Sequence, residues 1–292
     1  DLKFMNGWKH VAYNRMGLRA IGSYSGNIAY CIEPGTGQHT GDTLTKKDEN
    51  FFNDLPSYNK TLSGDDIKLF IGRILQYGYR GPISTEWRSQ NPSDADKIAH
   101  AYATQIIIWE TVVGERDKNF NHIDPGSYSP VLAIVSSKHP LRSRIMDHYH
   151  NIESKVKQHT KIPSFFERTT GKAKTVELEW DGENYVTTLT DKNNVLGNYT
   201  FSANISGVKF STSGNKLTIS MKKAPTDVLT ISATKKGSVR RGVITWTDGN
   251  YQPGVGIQDV VTYAQEVSDP VKGFLKAKVS YGSCAIVKTS ED

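Results

Sequence analysis

Apolar positions in the first half of the chain recur at helical intervals of three and four residues. We predict three helices there, with bounds set by caps, glycines and a proline: Ser63 or Asp65 to Gly78, Ser93 to about Val113, and from Pro140 onward. The second helix is apolar almost all round and is therefore expected to be buried. It contains Gln105, and a buried amide without a partner costs about 1–3 kcal/mol. We therefore expect Gln105 to have a hydrogen-bond partner.

Strand-like patterns flank this helical region on both sides. Aromatic and β-branched runs predict strands at Trp8–Tyr13 and Ile21–Ile32, and the polar, turn-rich residues 35–64 predict a long loop. Beyond residue 174, about nine short alternating runs separated by Gly, Asn and Asp are typical of an antiparallel sandwich of immunoglobulin type.

These patterns predict a fold that changes along the chain. Residues 1–162 are expected to form an α+β domain, a β-barrel or sandwich with a helical insertion. Residues 174–281 are expected to form an all-β immunoglobulin-like sandwich, and residues 282–292 the start of a truncated further domain. The segment 161–173 breaks the helical pattern and is predicted to be the boundary. Since both ends stop in mid-pattern, we expect the chain to be a fragment of a longer protein.

Charge narrows the class of partner. The net charge is +6, with a sequence pI near 9.1, and the excess divides evenly, at +3 on either side of Lys172. Because Lys and Glu are interspersed and form no basic stripe, this distribution favours a solvated mixed surface over a nucleic-acid interface. No apolar run approaches the ~20 residues that a membrane span requires.

The chain has only two cysteines, Cys31 and Cys284, in different predicted domains, and no metal-binding spacing. Cys31 lies at the end of an apolar run and could simply be a small buried hydrophobe. If it meets Gln105, however, the thiolate can attack the carboxamide and release ammonia. The product is an intramolecular thioester, an activated acyl group that an amine can then attack. The spacing permits this contact and does not prove it.

The segment Tyr30–Gly35, together with Thr104–Gln105 and Trp109, resembles the thioester domain of Gram-positive surface adhesins. That family pairs a strand cysteine with the glutamine of a helical motif that is followed closely by tryptophan. Ile107 stands where the family usually has alanine, which leaves the two reacting residues in place. The resemblance covers roughly residues 5–160, and the second predicted domain resembles the β-sandwich stalk modules of such adhesins.

The resemblance implies a function and a site. Cys31 and Gln105 would form the cross-link, and Tyr30, Thr104 and Trp109 would wall or orient it. A lysine amine of a host surface or matrix protein would be captured covalently, in a single self-catalysed event without turnover, cofactor or metal. The protein would be a monomeric virulence-associated adhesin, secreted and anchored to the cell wall outside this fragment.

Two alternatives remain open from the residues. Cys31 could be the nucleophile of a hydrolase or acyl transferase, with His100 or His122 as its base, although no acid–base pattern surrounds either histidine. The chain could also be a structural or carbohydrate-binding surface protein in which Cys31 is inert.

Overall fold

The chain forms two compact units, Asp1–His159 with Val239–Ser268, and Thr160–Ser238 with Asp269–Asp292. The computed structural model describes residues 2–6, 18–21, 28–34, 36–37, 42–47, 51–54, 61–82, 94–124, 130–135, 137–250 and 255–279. Within this part of the chain, no helix is both long and apolar enough to cross a membrane.

The first unit contains a closed antiparallel barrel. Its strands follow the order β1-β2-β3-β12-β11-β4. Their bounds are β1 Leu2–Asn6, β2 Leu18–Ile21, β3 Ile28–Cys31, β4 Thr43–Lys47, β11 Val239–Thr247 and β12 Val260–Ser268. Strand β3 lies between β2 and β12, so both of its neighbours are strands of the same barrel.

Between β4 and β11, the described residues form four α-helices: α1 Phe51–Asp54, α2 Gly64–Tyr77, α3 Ala95–Val113 and α4 Arg142–His159. Helix α2 begins and ends as predicted, with Ser63 and Asp66 forming a capping box and Gly78 as the C-cap. Helix α3 begins one residue after Asp94 and ends at Gly114, whose positive φ of 91° suits glycine. The predicted cap Ser93 lies outside the described residues.

Strand β3 is buried on both faces, which explains why its sequence is a continuous apolar run. Tyr30 and Ile32 belong to the large hydrophobic cluster formed with the helices, whereas Ala29 packs with Val260 and Trp246 in a second cluster. Helix α3 is buried along almost its whole length, as predicted. The barrel and the helices therefore meet along β3.

The division into units corrects the predicted domain boundaries. Residues 239–268, predicted to belong to the 174–281 sandwich, supply β11 and β12, which close the barrel of the first unit. Short alternating strands look the same whichever sheet they join, because the pairing partner is set by tertiary contacts and not by local pattern. Thr160–Ser238 of the second unit thus lie between α4 and β11 in the sequence, and its strand β13 (Lys272–Val279) follows β12. The predicted segment 282–292 lies outside the described residues.

The second unit contains a mixed seven-stranded sheet. Its strands follow the order β7-β10-β13-β5-β6-β9-β8. The strands that come first and last in the sequence, β5 and β13, are neighbours in the sheet and pair in parallel. The bounds are β5 Thr175–Trp180, β6 Tyr185–Thr190, β7 Tyr199–Ala203, β8 Lys209–Ser213, β9 Lys216–Met221, β10 Leu229–Lys235 and β13 Lys272–Val279. The predicted all-β character is confirmed. The sheet is not purely antiparallel, and the immunoglobulin-type sandwich stays a prediction.

The predicted loop 35–64 is a second correction, because it contains β4 and α1. Strand β4 pairs with β1 and β11, and its only buried side chain is Leu44. Because Leu44 is the single apolar residue of this strand, its sequence lacks the alternation of apolar and polar residues by which strands are recognised. The predicted strand Trp8–Tyr13 lies outside the described residues.

Candidate functional site

Cys31 is the last residue of β3 and is 3% exposed. Val260 of β12 lies directly opposite it, and the next residue, Ile32, donates its N–H to the carbonyl of Asp259 at 3.0 Å. In an antiparallel ladder, hydrogen-bonded and non-hydrogen-bonded pairs alternate. The N–H and C=O of Cys31 therefore point away from β12, where another group can bind them.

That other group is the side chain of Gln105. The Cys31 N–H donates to Gln105 Oε1 at 2.8 Å, and Gln105 Nε2 donates to the Cys31 carbonyl at 2.8 Å. The carboxamide thus makes the two backbone hydrogen bonds of Cys31 that a neighbouring strand would otherwise make. Gln105 is only 1% exposed. Gln105 therefore has a hydrogen-bond partner, and the structure places it at the backbone of Cys31.

This two-point contact suits acyl transfer. An N–H that already donates to the amide oxygen is positioned to stabilise the negative charge that develops on that oxygen when a nucleophile attacks. The donor belongs to Cys31 itself, so the thiol and the polarised carbonyl are held in one residue pair. Removal of water from both groups strengthens the interaction.

The Cys31 thiol is strongly protonated in the folded protein. Burial raises the pKa of the thiol far above its usual range, and the charges of Glu33 and Asp259 raise it further. The nearby indole N–H of Trp109 and the backbone N–H of Glu33 lower it in part, the latter donating to Sγ at 3.3 Å. The resting thiol is therefore neutral and needs a proton acceptor before it can act as a nucleophile.

Two buried carboxyl groups, those of Glu33 and Asp259, act on the thiol through their charge, and sequence reasoning assigned neither a role. Glu33 is 4% and Asp259 1% exposed, and a Glu33 side-chain oxygen accepts the backbone N–H of Asp259 at 3.2 Å. Neither Asp259 carboxylate oxygen makes a hydrogen bond of good geometry among the described residues. The available signal was a polar Gln258-Asp259 pair directly before the apolar run of β12.

The predicted supporting residues divide into two groups. The Trp109 indole N–H acts on the Cys31 thiol, and its role as a wall residue stays a prediction. Tyr30 and Thr104 instead hold the backbone of Tyr79: the Tyr30 hydroxyl donates to its carbonyl at 2.6 Å, and its N–H donates to Thr104 Oγ1 at 3.0 Å. They therefore fasten the segment after α2 to β3 and α3.

Comparisons with known proteins agree with this geometry. Residues 28–158 match the family model described as "TED: Thioester domain", a segment that includes Cys31 and Gln105. This segment, residues 28–158, is a thioester domain. The match ends one residue before the end of α4. It therefore leaves out β11 and β12, which close the barrel to which β3 and β4 of the matched segment belong.

Solved structures offer weaker likenesses. The thioester domain of the Staphylococcus aureus TIE protein is 23% identical, with 96% of this chain and 97% of that chain covered and a TM-score of 0.42. A cysteine-to-alanine variant of the pilus-presented adhesin Spy0125 (Cpa) is 13% identical, with 96% and 78% covered and a TM-score of 0.33. No curated protein matches the chain. The family assignment therefore rests on the family model.

The histidines considered as bases for a hydrolase make contacts elsewhere in the thioester domain. His100 stacks on His148 at a centroid distance of 4.3 Å, and its Nε2 lies 3.3 Å from the carbonyl of Tyr77. Burial, followed by the charge of His148, lowers the pKa of His100 to about 4. His122 lies 3.2 Å from Glu115. Neither arrangement directs an imidazole at Cys31.

One group of described residues in the thioester domain has metal-ligand types close together: Glu110, Glu115 and His122. The oxygens of Glu110 already accept hydrogen bonds from Arg116 and Tyr149. Glu115 likewise accepts the backbone N–H of Val131 at 2.9 Å. Because these contacts already bind the carboxylates, the group is explained as part of the protein's own hydrogen-bond network.

Proposed function

We propose that Cys31 and Gln105 form an intramolecular thioester with which this protein attaches covalently to an amine. The thiol adds to the carboxamide carbon, the C–N bond breaks, and ammonia leaves with the thiol proton. An incoming amine then forms an amide at the same carbon and releases the Cys31 thiol. The observation that carries the proposal is the pair of 2.8 Å hydrogen bonds between the Gln105 carboxamide and the Cys31 backbone.

The biological setting is part of the same proposal. The amine is a lysine of a host surface or extracellular-matrix protein, and the protein is a monomeric adhesin anchored to the bacterial cell wall through a region outside this chain. The second unit acts as a stalk module. The thioester-domain match supports this setting, since a protein that forms one bond per chain acts as an attachment device and not as an enzyme with turnover.

Intact mass provides the direct test. The folded wild-type chain is expected to weigh one ammonia less than its sequence, and Cys31→Ala and Gln105→Leu to have their full sequence masses. Incubation with methylamine is expected to add one methylamine to the wild type alone. A wild-type chain with its full mass that gains no amine would refute the proposal.

A thiol titration sharpens this test. In a Cys284→Ser background, Cys31 is the only thiol in the chain. Untreated protein, denatured in acid, is expected to react with no thiol reagent. Protein treated with methylamine and then denatured is expected to react with one equivalent. An inert buried cysteine would instead give one equivalent in both samples. Repeated release of product from a small acyl substrate would favour the hydrolase alternative.

A further inference from the structure

Thioester chemistry in this site has to move a proton as well as an acyl group. The Cys31 thiol must lose its proton to attack, and the amide nitrogen must gain one to leave as ammonia. Later, the attacking amine must in turn lose a proton. Since burial keeps the thiol protonated, a proton carrier beside the pair would accelerate each of these steps.

Glu33 and Asp259 are arranged as such a carrier. Glu33 connects Cys31 with Asp259. Its backbone N–H donates to Cys31 Sγ at 3.3 Å, and its carboxylate accepts the Asp259 N–H at 3.2 Å. The Asp259 carbonyl in turn accepts the N–H of Ile32 at 3.0 Å. Two backbone contacts therefore hold the Asp259 residue against the turn that follows Cys31.

The unusual feature of Asp259 is how weakly its carboxylate is held: the Thr247 hydroxyl and the Asp248 backbone act on it, and neither makes a hydrogen bond of good geometry. The residue is 1% exposed, and both oxygens are buried without a hydrogen bond of good geometry among the described residues. Burying a carboxyl group with such weak contacts is destabilising. A group available to take up and release a proton is a physical reason for it to be retained.

We infer that the Glu33–Asp259 carboxyl pair carries the proton in both halves of the reaction, with Asp259 as the exchanging group. In thioester formation, Asp259 takes the thiol proton as the S–C bond forms and returns it to the nitrogen as the C–N bond breaks. In amine capture, it takes the proton of the attacking amine and returns it to the departing sulfur. The pair ends each half in its starting state. This role rests on the thioester proposed above.

The electrostatics of the pair fit proton exchange near neutral pH. Burial raises the pKa of Asp259 to about 7, with the Thr247 hydroxyl opposing this effect and the charges of Glu33 and Asp248 adding to it. Burial also raises the pKa of Glu33. An acid–base group is most effective when its pKa lies near the working pH.

The test is the pH dependence of capture of methoxyamine, a nucleophile that is already unprotonated near neutral pH. The rate at which intact wild-type protein gains methoxyamine is expected to rise with pH and to level off above an inflection near 7. In Asp259→Asn the rate is expected to fall about 100-fold or more and to lose this inflection. Asp65→Asn, an exposed carboxylate of α2 in the same unit, is the matched control and is expected to behave as wild type.

A second variant changes the inflection without removing the carrier. Glu33→Gln removes a neighbouring negative charge and keeps an oxygen that can accept the Asp259 N–H, so the inflection is expected to move to lower pH. A folded Asp259→Asn chain that keeps its full sequence mass would also support the inference, since formation itself would then have failed.

The failures can be told apart. A wild-type chain without ammonia loss or methoxyamine gain overturns the thioester. A reactive wild type whose rate and pH profile are matched by Asp259→Asn, or whose inflection does not move in Glu33→Gln, overturns only the proton role. The second variant keeps the inference falsifiable if Asp259→Asn does not fold.

Discussion

The first unit contains two buried polar regions that use their polar atoms in opposite ways. Around Arg116, all five guanidinium N–H groups donate: to Glu110, Tyr149, Glu153 and the carbonyl of Phe120. Around Cys31, the indole N–H of Trp109 and both carboxylate oxygens of Asp259 are buried without a hydrogen bond of good geometry among the described residues. Both regions lie on α3 or against it.

The contrast distinguishes structure from chemistry. A buried charge that is fully paired holds its neighbours in one arrangement, and removing one partner leaves the other uncompensated. A buried polar atom without a partner destabilises the fold and can serve a reaction that takes place beside it. The Arg116 region therefore reads as the support of the helical layer, and the Cys31 region as the place where bonds change.

The largest expected effect lies in the paired region. Arg116→Ala would leave Glu110 buried and unpaired, so the free energy of unfolding of the first unit is expected to fall by about 3–5 kcal/mol. Urea denaturation measures the loss. Lys118→Ala is the control, because exposed Lys118 forms an ion pair with Asp66 at a distance of 3.7 Å. It should change the free energy of unfolding by less than about 0.5 kcal/mol. A loss below about 1 kcal/mol in Arg116→Ala would remove the contrast.

Asp259→Asn is expected to act in the opposite direction. Because burial raises the pKa of Asp259 to about 7 in the folded chain, ionising it penalises the folded state progressively as pH rises from about 4 to 7. The neutral amide avoids that penalty, so the variant is expected to be more stable than wild type by about 2 kcal/mol at pH 8. The difference should vanish near pH 4. Urea titrations at the two pH values measure it, and a destabilised variant at pH 8 would contradict this reading of the carboxylate.

Tyr149→Phe tests the paired region with a smaller change. The Tyr149 hydroxyl accepts from Arg116 at 2.7 Å and donates to Glu110 at 2.8 Å. Its removal leaves one donor and one acceptor short, and we expect a loss of about 1–2 kcal/mol in the free energy of unfolding. Thermal and urea unfolding both report it. Equal stability of variant and wild type would mean that water replaces the hydroxyl.

The smallest effect on stability is expected at Trp109. Trp109→Phe removes an N–H that makes no hydrogen bond of good geometry, so stability should change by less than about 1 kcal/mol. If that N–H stabilises the departing thiolate, methylamine capture should slow about 10-fold. Intact mass against time measures the rate. A large stability loss with an unchanged rate would make Trp109 a packing residue only.

Local patterns predicted much of the helical layer. The candidate caps Ser63 and Asp65 and the glycine Gly78 marked the ends of α2, because caps act within one helical turn. Burial of α3 followed from its apolar circumference, and the need of Gln105 for a partner followed from the cost of burying an amide. Strand β4 was missed because its exposed side chains carry no alternation.

The sequence by itself determined that Cys31 sits on a buried strand, that Gln105 lies on a buried helix and that the pair matches a thioester motif. Only the tertiary structure decided that Gln105 binds the Cys31 backbone and that β11 and β12 close the barrel. It also decided that Asp259, which precedes β12, contacts Glu33, 226 positions away in the chain. Caps and periodicity are properties of neighbouring residues. Strand partners and buried carboxyl pairs depend on contacts between distant segments, which local pattern does not encode.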